Sequence, residues 1–527
     1  HVFRHLLLNL ISGLIPRINK TEVHMQGAMT RILLGSVMFS AAICQVQAEA
    51  LQPDPAWQEG RLANGFQWQI LQTPQRPNDR IQIRLLVNTG SLSEKRSETG
   101  FSSLVSKLNV LENTGLTPEK RDNLWKNAFD PDYPLPPMIV SYDFTVYNLS
   151  LPNNQPELLK DAFALLAGIA KPAQYTEDAV RNAIQSPLPV VTFPANIDDP
   201  IWRSRLEGSN LKGHNPGKPV NHSVNTKELS DYQQRWYTPD MMTLYIAGNV
   251  DNRILTESIN QAFSSLEGKR VTPVPVPVLA DMKPETLYVQ EPMRKNDQIS
   301  LIWDLDWSPV KDSDTLSRYW LSDLAREVIF VHLGRSLEQR KEKESTQVNI
   351  DCRVQYQRAS CSLNVDTATA NIPALATWVG EELGELRNQG VSDELYQDLL
   401  QEKQIQLTQL FARYAKTSTS ILINQRLLSQ QSNIIDIPPE QYQRLRQAFL
   451  AGLTKEMLNQ ELSRILSEDI TFVLTQSSET PTVNLGELRV QFEKQVHPET
   501  ANSSNRAKTS LTTGEKASVQ ADAQQTK

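Results

Sequence analysis

Cysteine is scarce: 3 residues in 527. That is too few for a disulfide-stapled scaffold, so buried apolar surface has to hold the fold. Neither sign of charge dominates, with 53 Lys and Arg against 60 Asp and Glu and a formal net charge of −7. A basic field able to neutralise phosphates is missing, which argues against nucleic acid as a partner. Long apolar runs are missing too, and the mean hydropathy is −0.41, which argues against a multispanning membrane protein. No G-x-G-x-x-G or G-x-x-x-x-G-K-[ST] string stands between a strand and a helix, so nucleotide binding has no support. What remains is ordinary globular composition, 39% hydrophobic and 21% charged, and a length that fits two to four domains.

The first Met is Met25, and residues 1–24 read as an upstream extension. Residues 25–50 read as a secretory signal peptide. Arg31 supplies the basic start, Ile32 to Cys44 a short apolar run, and Ala48-Glu49-Ala50 the small residues of a cleavage site near Ala50. The expected location is therefore periplasmic. Leu6 to Ile15 is a second apolar stretch; an uncleaved anchor is the alternative if it belongs to the protein. Cys44 leaves with the signal, and Cys352 and Cys361 remain. They flank the turn of a segment, Val348 to Val365, that reads as two short strands. A cross-strand disulfide fits an exported protein; two small buried thiols are the alternative.

Periodicity divides the rest into two α+β halves. Phe66 to Leu71, Ile81 to Asn88, Ile139 to Leu151 and Thr243 to Val250 read as strands. About Gly100 to Leu111, Glu157 to Ile169 and Asp251 to Leu266 read as helices. Val271 to Val278 carries Pro at alternate positions, an extended connector. Beyond it the order recurs: strand Gln298 to Asp304, helix Asp314 to Leu333, the cysteine hairpin, helix Ala374 to Gln389, a long helical stretch Asp393 to Leu428, and a last strand Ile470 to Leu474.

A set of strings now stands out: Leu62-Ala63-Asn64-Gly65-Phe66, Val87 to Glu94, Glu98-Thr99-Gly100-Phe101, Tyr147 to Pro152, Trp236 to Met242, and Ala247 to Asp251. In this order and spacing they resemble the insulinase/pitrilysin zinc-peptidase family over about Leu62 to Gly268, and more loosely beyond. The resemblance implies an α+β fold of two tandem homologous domains, like mitochondrial processing peptidase. The chain then divides into an N-terminal domain at 51–270, a Pro-rich linker at 271–283 read from its alternating prolines, a C-terminal domain at 284–490, and a tail at 491–527 expected to be disordered from its Ser, Thr, Ala, Gln and Lys composition.

Active members carry H-x-x-E-H on the helix after the Gly-Ser segment. Two His at i and i+4 on one face grip Zn²⁺, and the Glu takes a proton from the bound water. The matching positions here are Ser103, Leu104, Val105, Ser106 and Lys107. Hydroxyls are poor zinc ligands, and an ammonium repels a dication. The third ligand, a Glu on a later helix, has no counterpart from Ala179 to Ile197. The resemblance thus implies a zinc cofactor whose ligands are missing, with the expectation of no cofactor and no zinc hydrolysis. Arg340 matches the family's substrate-holding Arg, while its Tyr partner falls near Gln347. Expected partners are an extended peptide or unfolded protein, with a homodimer or a heterodimer with an active member as the assembly. The function expected is that of a non-catalytic binding or partner subunit; a peptidase with relocated catalytic residues is the alternative. Ser103 and Lys107 could touch at i and i+4, but nothing around them suggests an oxyanion hole. His214 and His222 read as loop residues, and His332 as a packed side chain. The tryptophans, Trp303 and Trp307 included, read as core.

Overall fold

The computed structural model describes residues 48–194, 197–220 and 222–497. The expected upstream extension, residues 25–47 of the expected signal and the tail beyond 497 lie outside the described residues.

The N-terminal half runs β1 (Trp57–Arg61), β2 (Gln67–Gln72), β3 (Ile81–Val87), α1 (Phe101–Leu111), α2 (Pro118–Asn127), β4 (Met138–Ser141), β5 (Thr145–Leu151), α3 (Pro156–Ala170), α4 (Glu177–Gln185), β6 (Val191–Phe193), α5 (Pro200–Arg205), α6 (Thr226–Trp236), β7 (Met242–Gly248) and α7 (Asn252–Phe263). Its seven strands lie in the order β1-β2-β7-β3-β5-β4-β6. The turn between β1 and β2 explains one of the family strings. Gly65 has φ 91°, a left-handed conformation that glycine adopts without steric cost. Asn64 Nδ2 donates to the carbonyls of Phe263 at 2.7 Å and Leu266 at 3.1 Å, which closes the end of α7.

Ile139 to Leu151, expected as one strand, is two. Ser141 N–H donates to Phe144 C=O across a tight reversal, and β4 folds back antiparallel onto β5. The reversal uses Tyr142, Asp143 and Phe144 and has neither Gly nor Pro, so Asp143 between two aromatic residues was its main turn signal.

The C-terminal half runs β8 (Thr286–Gln290), β9 (Asp297–Asp306), α8 (Ser313–Leu337), β10 (Gln347–Gln355), β11 (Arg358–Thr367), α9 (Ile372–Gln389), α10 (Asp393–Thr408), α11 (Leu410–Lys416), α12 (Thr419–Gln431), α13 (Pro439–Gly452), α14 (Lys455–Leu466), β12 (Thr471–Gln476) and α15 (Leu485–Val496). The expected helical stretch 393–428 is thus three helices. Ser418 caps α12, its side chain accepting from Ile421 N–H, and so starts a new helix rather than extending the old one. Helix α15 buries Phe492 and Val496, so ordered structure continues past the boundary expected at 490.

The second sheet, β10-β11-β9-β12-β8, repeats the core of the first. In each half, an early strand pairs in parallel with the last, as β2 with β7 and β8 with β12. The last pairs antiparallel with the strand before the long helix, as β7 with β3 and β12 with β9. That strand pairs antiparallel with the return strand, as β3 with β5 and β9 with β11. Helix α1 therefore corresponds to α8, and α3 to α9.

The two halves touch through built contacts. Leu422 and Ile423 of α12 pack against Trp57, Leu71, Tyr245 and Ala247 on one face of the first sheet. Burying a side chain such as Ile423 contributes about 1.5–3 kcal/mol. Arg426 of α12, 3% exposed, pairs with Glu59 at 2.6 Å and stacks over Trp57. On the other side, Arg205 of α5 meets Asp304 of β9 at 2.5 Å, and Arg358 reaches the same carboxylate at 2.8 Å. Asp304 lies between Trp303 and Trp307 in sequence. Both indoles donate to backbone carbonyls, of Ile465 and Ser432.

Candidate functional site

Helices α1 and α4 are the pair that would hold the family's zinc. Their residues have other partners. Ser103 Oγ donates to the Pro216 carbonyl at 2.5 Å, and Ser106 Oγ donates back to the Ser103 carbonyl at 2.7 Å. Both side chains are buried. Lys107 Nζ donates to the carbonyl of Ser186 at 3.0 Å. Ser186 is the C-cap of α4, where exposed carbonyls and the helix dipole favour a cation. Partial burial holds the Lys107 pKa below its usual range. An ammonium thus ties α1 to α4 where a shared metal would have done so. The face that α4 offers is Val180 and Ala183, both buried. These residues do not fit a zinc ion.

A loop closes the same region from above. Gly100, at φ 89°, lies so close to Lys218 and Val220 that a Cβ would meet Val220 Cγ2 at 2.8 Å. His214 contacts the Ser91 carbonyl through Nδ1 at 3.2 Å, and Ser91 Oγ donates to the His214 carbonyl. His214 therefore serves as part of this cover, and the loop lies directly over the start of α1. Beneath it, Glu94 accepts from Gly100 N–H, Ser102 N–H and Ser102 Oγ. Burial outweighs those hydrogen bonds and raises its carboxyl to about 7. The family strings around the site are structural: Asn109 Nδ2 donates to Tyr147 Oη at 2.7 Å, which lies 2.8 Å from Tyr237 Oη.

The second half holds what sequence reasoning missed. His332 and Ser336 on α8 face Trp378, Glu382 and Glu385 on α9. His332 Nε2 lies 2.7 Å from a Glu382 carboxylate oxygen. Ser336 Oγ donates to the other oxygen at 2.7 Å, and Trp378 Nε1–H donates to Ser336 Oγ at 2.8 Å. The hydrogen bond from His332 is the largest effect lowering the Glu382 pKa. Nε2 of His332 and carboxylate oxygens of Glu382 and Glu385 all lie within 4.8 Å of one another, a set that could hold a metal ion. The expectation that metal ligands are absent is therefore corrected: they are missing from α1 and α4, and a set stands on α8 and α9. The helical spacing of Glu382 and Glu385 was visible in the sequence. Their meeting with His332, expected only as a packed side chain, depends on tertiary packing.

Arg340 lies one turn beyond Ser336. Its guanidinium stacks over Trp378 at 5.6 Å and pairs with Glu342 at 3.1 Å. Cys352 and Cys361 occupy directly paired positions on β10 and β11 with Cα atoms 4.1 Å apart, joined as a disulfide. The tip of that hairpin reaches the first half, where Tyr356 packs edge-on against Tyr142 and its Oη lies 3.2 Å from Ser141 Oγ.

Two tandem domains of like topology, with the strings above set around an α1–α4 pair, define the insulinase/pitrilysin class of peptidase folds. The chain belongs to that family. It is 43% identical over 477 residues to Protein YhjJ of Escherichia coli K12 and of Salmonella typhimurium, covering 90% of this chain and 96% of each relative. Residues 223–403 match the family model described as Peptidase M16 inactive domain. A structure described as a predicted insulinase family protease from Yersinia pestis is 49% identical. It superposes with a TM-score of 0.83 and covers 87% of this chain and all of that one. The periplasmic protease PqqL of E. coli, 19% identical with a TM-score of 0.72, shares the fold over 85% of this chain and 51% of its own.

Proposed function

We propose that this protein is a periplasmic member of the family that binds extended peptide or unfolded protein segments without hydrolysing them at the α1–α4 site. It does so alone, as a homodimer or as the partner of an active member. The observation that carries the reading is the state of that site. Ser103, Ser106 and Lys107 are committed to carbonyls of the covering loop, of α1 itself and of α4, and α4 carries no carboxylate beyond Glu177 and Asp178 in its first turn. The scaffold around the site keeps a sheet edge at β6, whose one described strand partner is β4. An extended segment can add to such an edge through main-chain hydrogen bonds. The periplasmic assignment draws on the signal-like sequence at 25–50 and on PqqL, titled a periplasmic protease.

The test is direct. Purified mature protein is titrated with fluorescent unstructured peptides, and the same mixtures are followed by mass spectrometry. Saturable binding with intact peptide is expected, weakened by Thr192→Pro, which disrupts the β6 edge. Peptide cleavage that Ser103→Ala and Lys107→Met abolish would refute the reading, as would no peptide binding and no co-purifying subunit.

A further inference from the structure

The geometry points to a divalent-cation site of zinc type in the second half, held by His332 Nε2 of α8 and by carboxylate oxygens of Glu382 and Glu385 of α9. It is independent of the peptide-binding reading and distinct from the family's zinc position. That position joins α1 to α4. The cluster joins α8 to α9, the counterparts of α1 and α3.

Several features make this a built arrangement rather than a chance meeting of surface charges. Trp378, 2% exposed, fixes Ser336 through its indole N–H. Ser336 then spends its hydroxyl proton on one Glu382 oxygen. The remaining Glu382 oxygen is thereby aimed at His332 Nε2. Outer hydrogen bonds of this kind orient ligating side chains. The His332 ring and the Glu382 carboxylate are each about four-fifths buried, with 20% and 18% exposure, while Glu385 is exposed. The ligand side is therefore half-sheltered and open to solvent on one edge. A neutral imidazole with two carboxylates supplies a charge of −2 for a dication, part of which the neighbouring Arg340 guanidinium offsets at Glu382. One nitrogen and two oxygens suit a borderline cation such as Zn²⁺, which takes three protein ligands and leaves a fourth position for water. Zinc–ligand bonds are about 2 Å, so ligand atoms around one ion sit near 3 Å apart. The 2.7 Å pair opens slightly and Glu385 swings inward. Arg340 remains engaged with Trp378 and Glu342 and supplies no ligand.

The experiment uses the full mature chain, stripped with a chelator. Zn²⁺ is titrated calorimetrically, and Co²⁺ is added in parallel as a spectroscopic substitute. One ion per chain is expected, with the intense visible bands of low-coordinate cobalt. Glu385→Gln, at an exposed position, and His332→Asn are each expected to weaken binding at least about tenfold. Ser336→Ala, which frees the Glu382 carboxylate, is expected to weaken it roughly tenfold. Thermal stability should rise with Zn²⁺ in the unaltered protein and not in the Glu385→Gln/His332→Asn pair. Failure to bind zinc, or undiminished zinc binding by that double variant, overturns the site. A variant that does not fold is replaced by Glu385→Gln alone, whose unchanged affinity would do the same.

Discussion

Asp143 shows how a single side chain can carry the pH dependence of an interface. It sits in the β4–β5 reversal, under the hairpin tip that Tyr356 brings from the other half, and its Oδ1 has no hydrogen-bond partner. Burial pushes its carboxyl up to about 6, against its own backbone N–H, which lowers it. The folded value lies above the unfolded one. Its contribution to stability is therefore complete below about 3.8 and is lost as pH rises through about 6. Asp143→Asn should remove this loss. At pH 8 the variant is expected to be more stable than the parent by roughly 1–3 kcal/mol, and the difference should shrink towards pH 4. Urea midpoints at the two pH values check it. The cysteines give a second outcome at this scale. Replacing Cys352 and Cys361 with Ser should lower stability by about 2–3 kcal/mol, read from the same transitions, with the hairpin tip loosening first.

Among elements, α1 is the informative one. Its apolar spacing, its start after Gly100 and its lack of His and Glu were legible from the sequence, because period and residue type are local properties. Helix α4 stops at Gln185, before Pro187 and Pro189, whose rings cannot continue a helix. The cover formed by the loop at 214–220 was not legible. Its partners on α1 are more than a hundred residues away in sequence, and nothing local announces them. The α8–α9 cluster was missed for the same reason, with His332 and Glu382 separated by 50 residues. The Ile139–Leu151 strand was overextended because its turn has neither Gly nor Pro, and Asp143 stands in it between two aromatic residues. Since the obstacle at α1 is spatial as well as chemical, restoring the motif alone should fail. Ser103→His, Ser106→Glu and Lys107→His together should give no metal-dependent peptidase activity. Val180 and Ala183 supply no third ligand, and the loop still covers the helix. A fluorogenic peptide assay with added Zn²⁺ checks this.

At the scale of the whole molecule, the two halves are joined by contacts that are expensive to break. Asp304 is 3% exposed and serves two arginines, Arg205 from the first half and Arg358 from its own. Removing it leaves the buried Arg205 without a carboxylate, facing Arg358, which keeps Asp281 and Asp306. Asp304→Ala should cost about 3–5 kcal/mol. The variant is also expected to unfold in two separated transitions by calorimetry, against one for the parent. A substitution of like size on the surface, such as Glu207→Ala, should leave one transition.

The start of the described chain is strapped to its far end. Leu51 N–H donates to the Lys311 carbonyl, Gln52 N–H to Gln441 Oε1 of α13, and Asp54 N–H to the Asp436 carbonyl. A chain delivered N-terminus first presents Gln52 long before α13 exists, so this strap can fasten only when the last third has arrived. Fastening is then a late event in maturation. A protease that trims the loose end during that interval would leave a permanent record of how long the wait lasted.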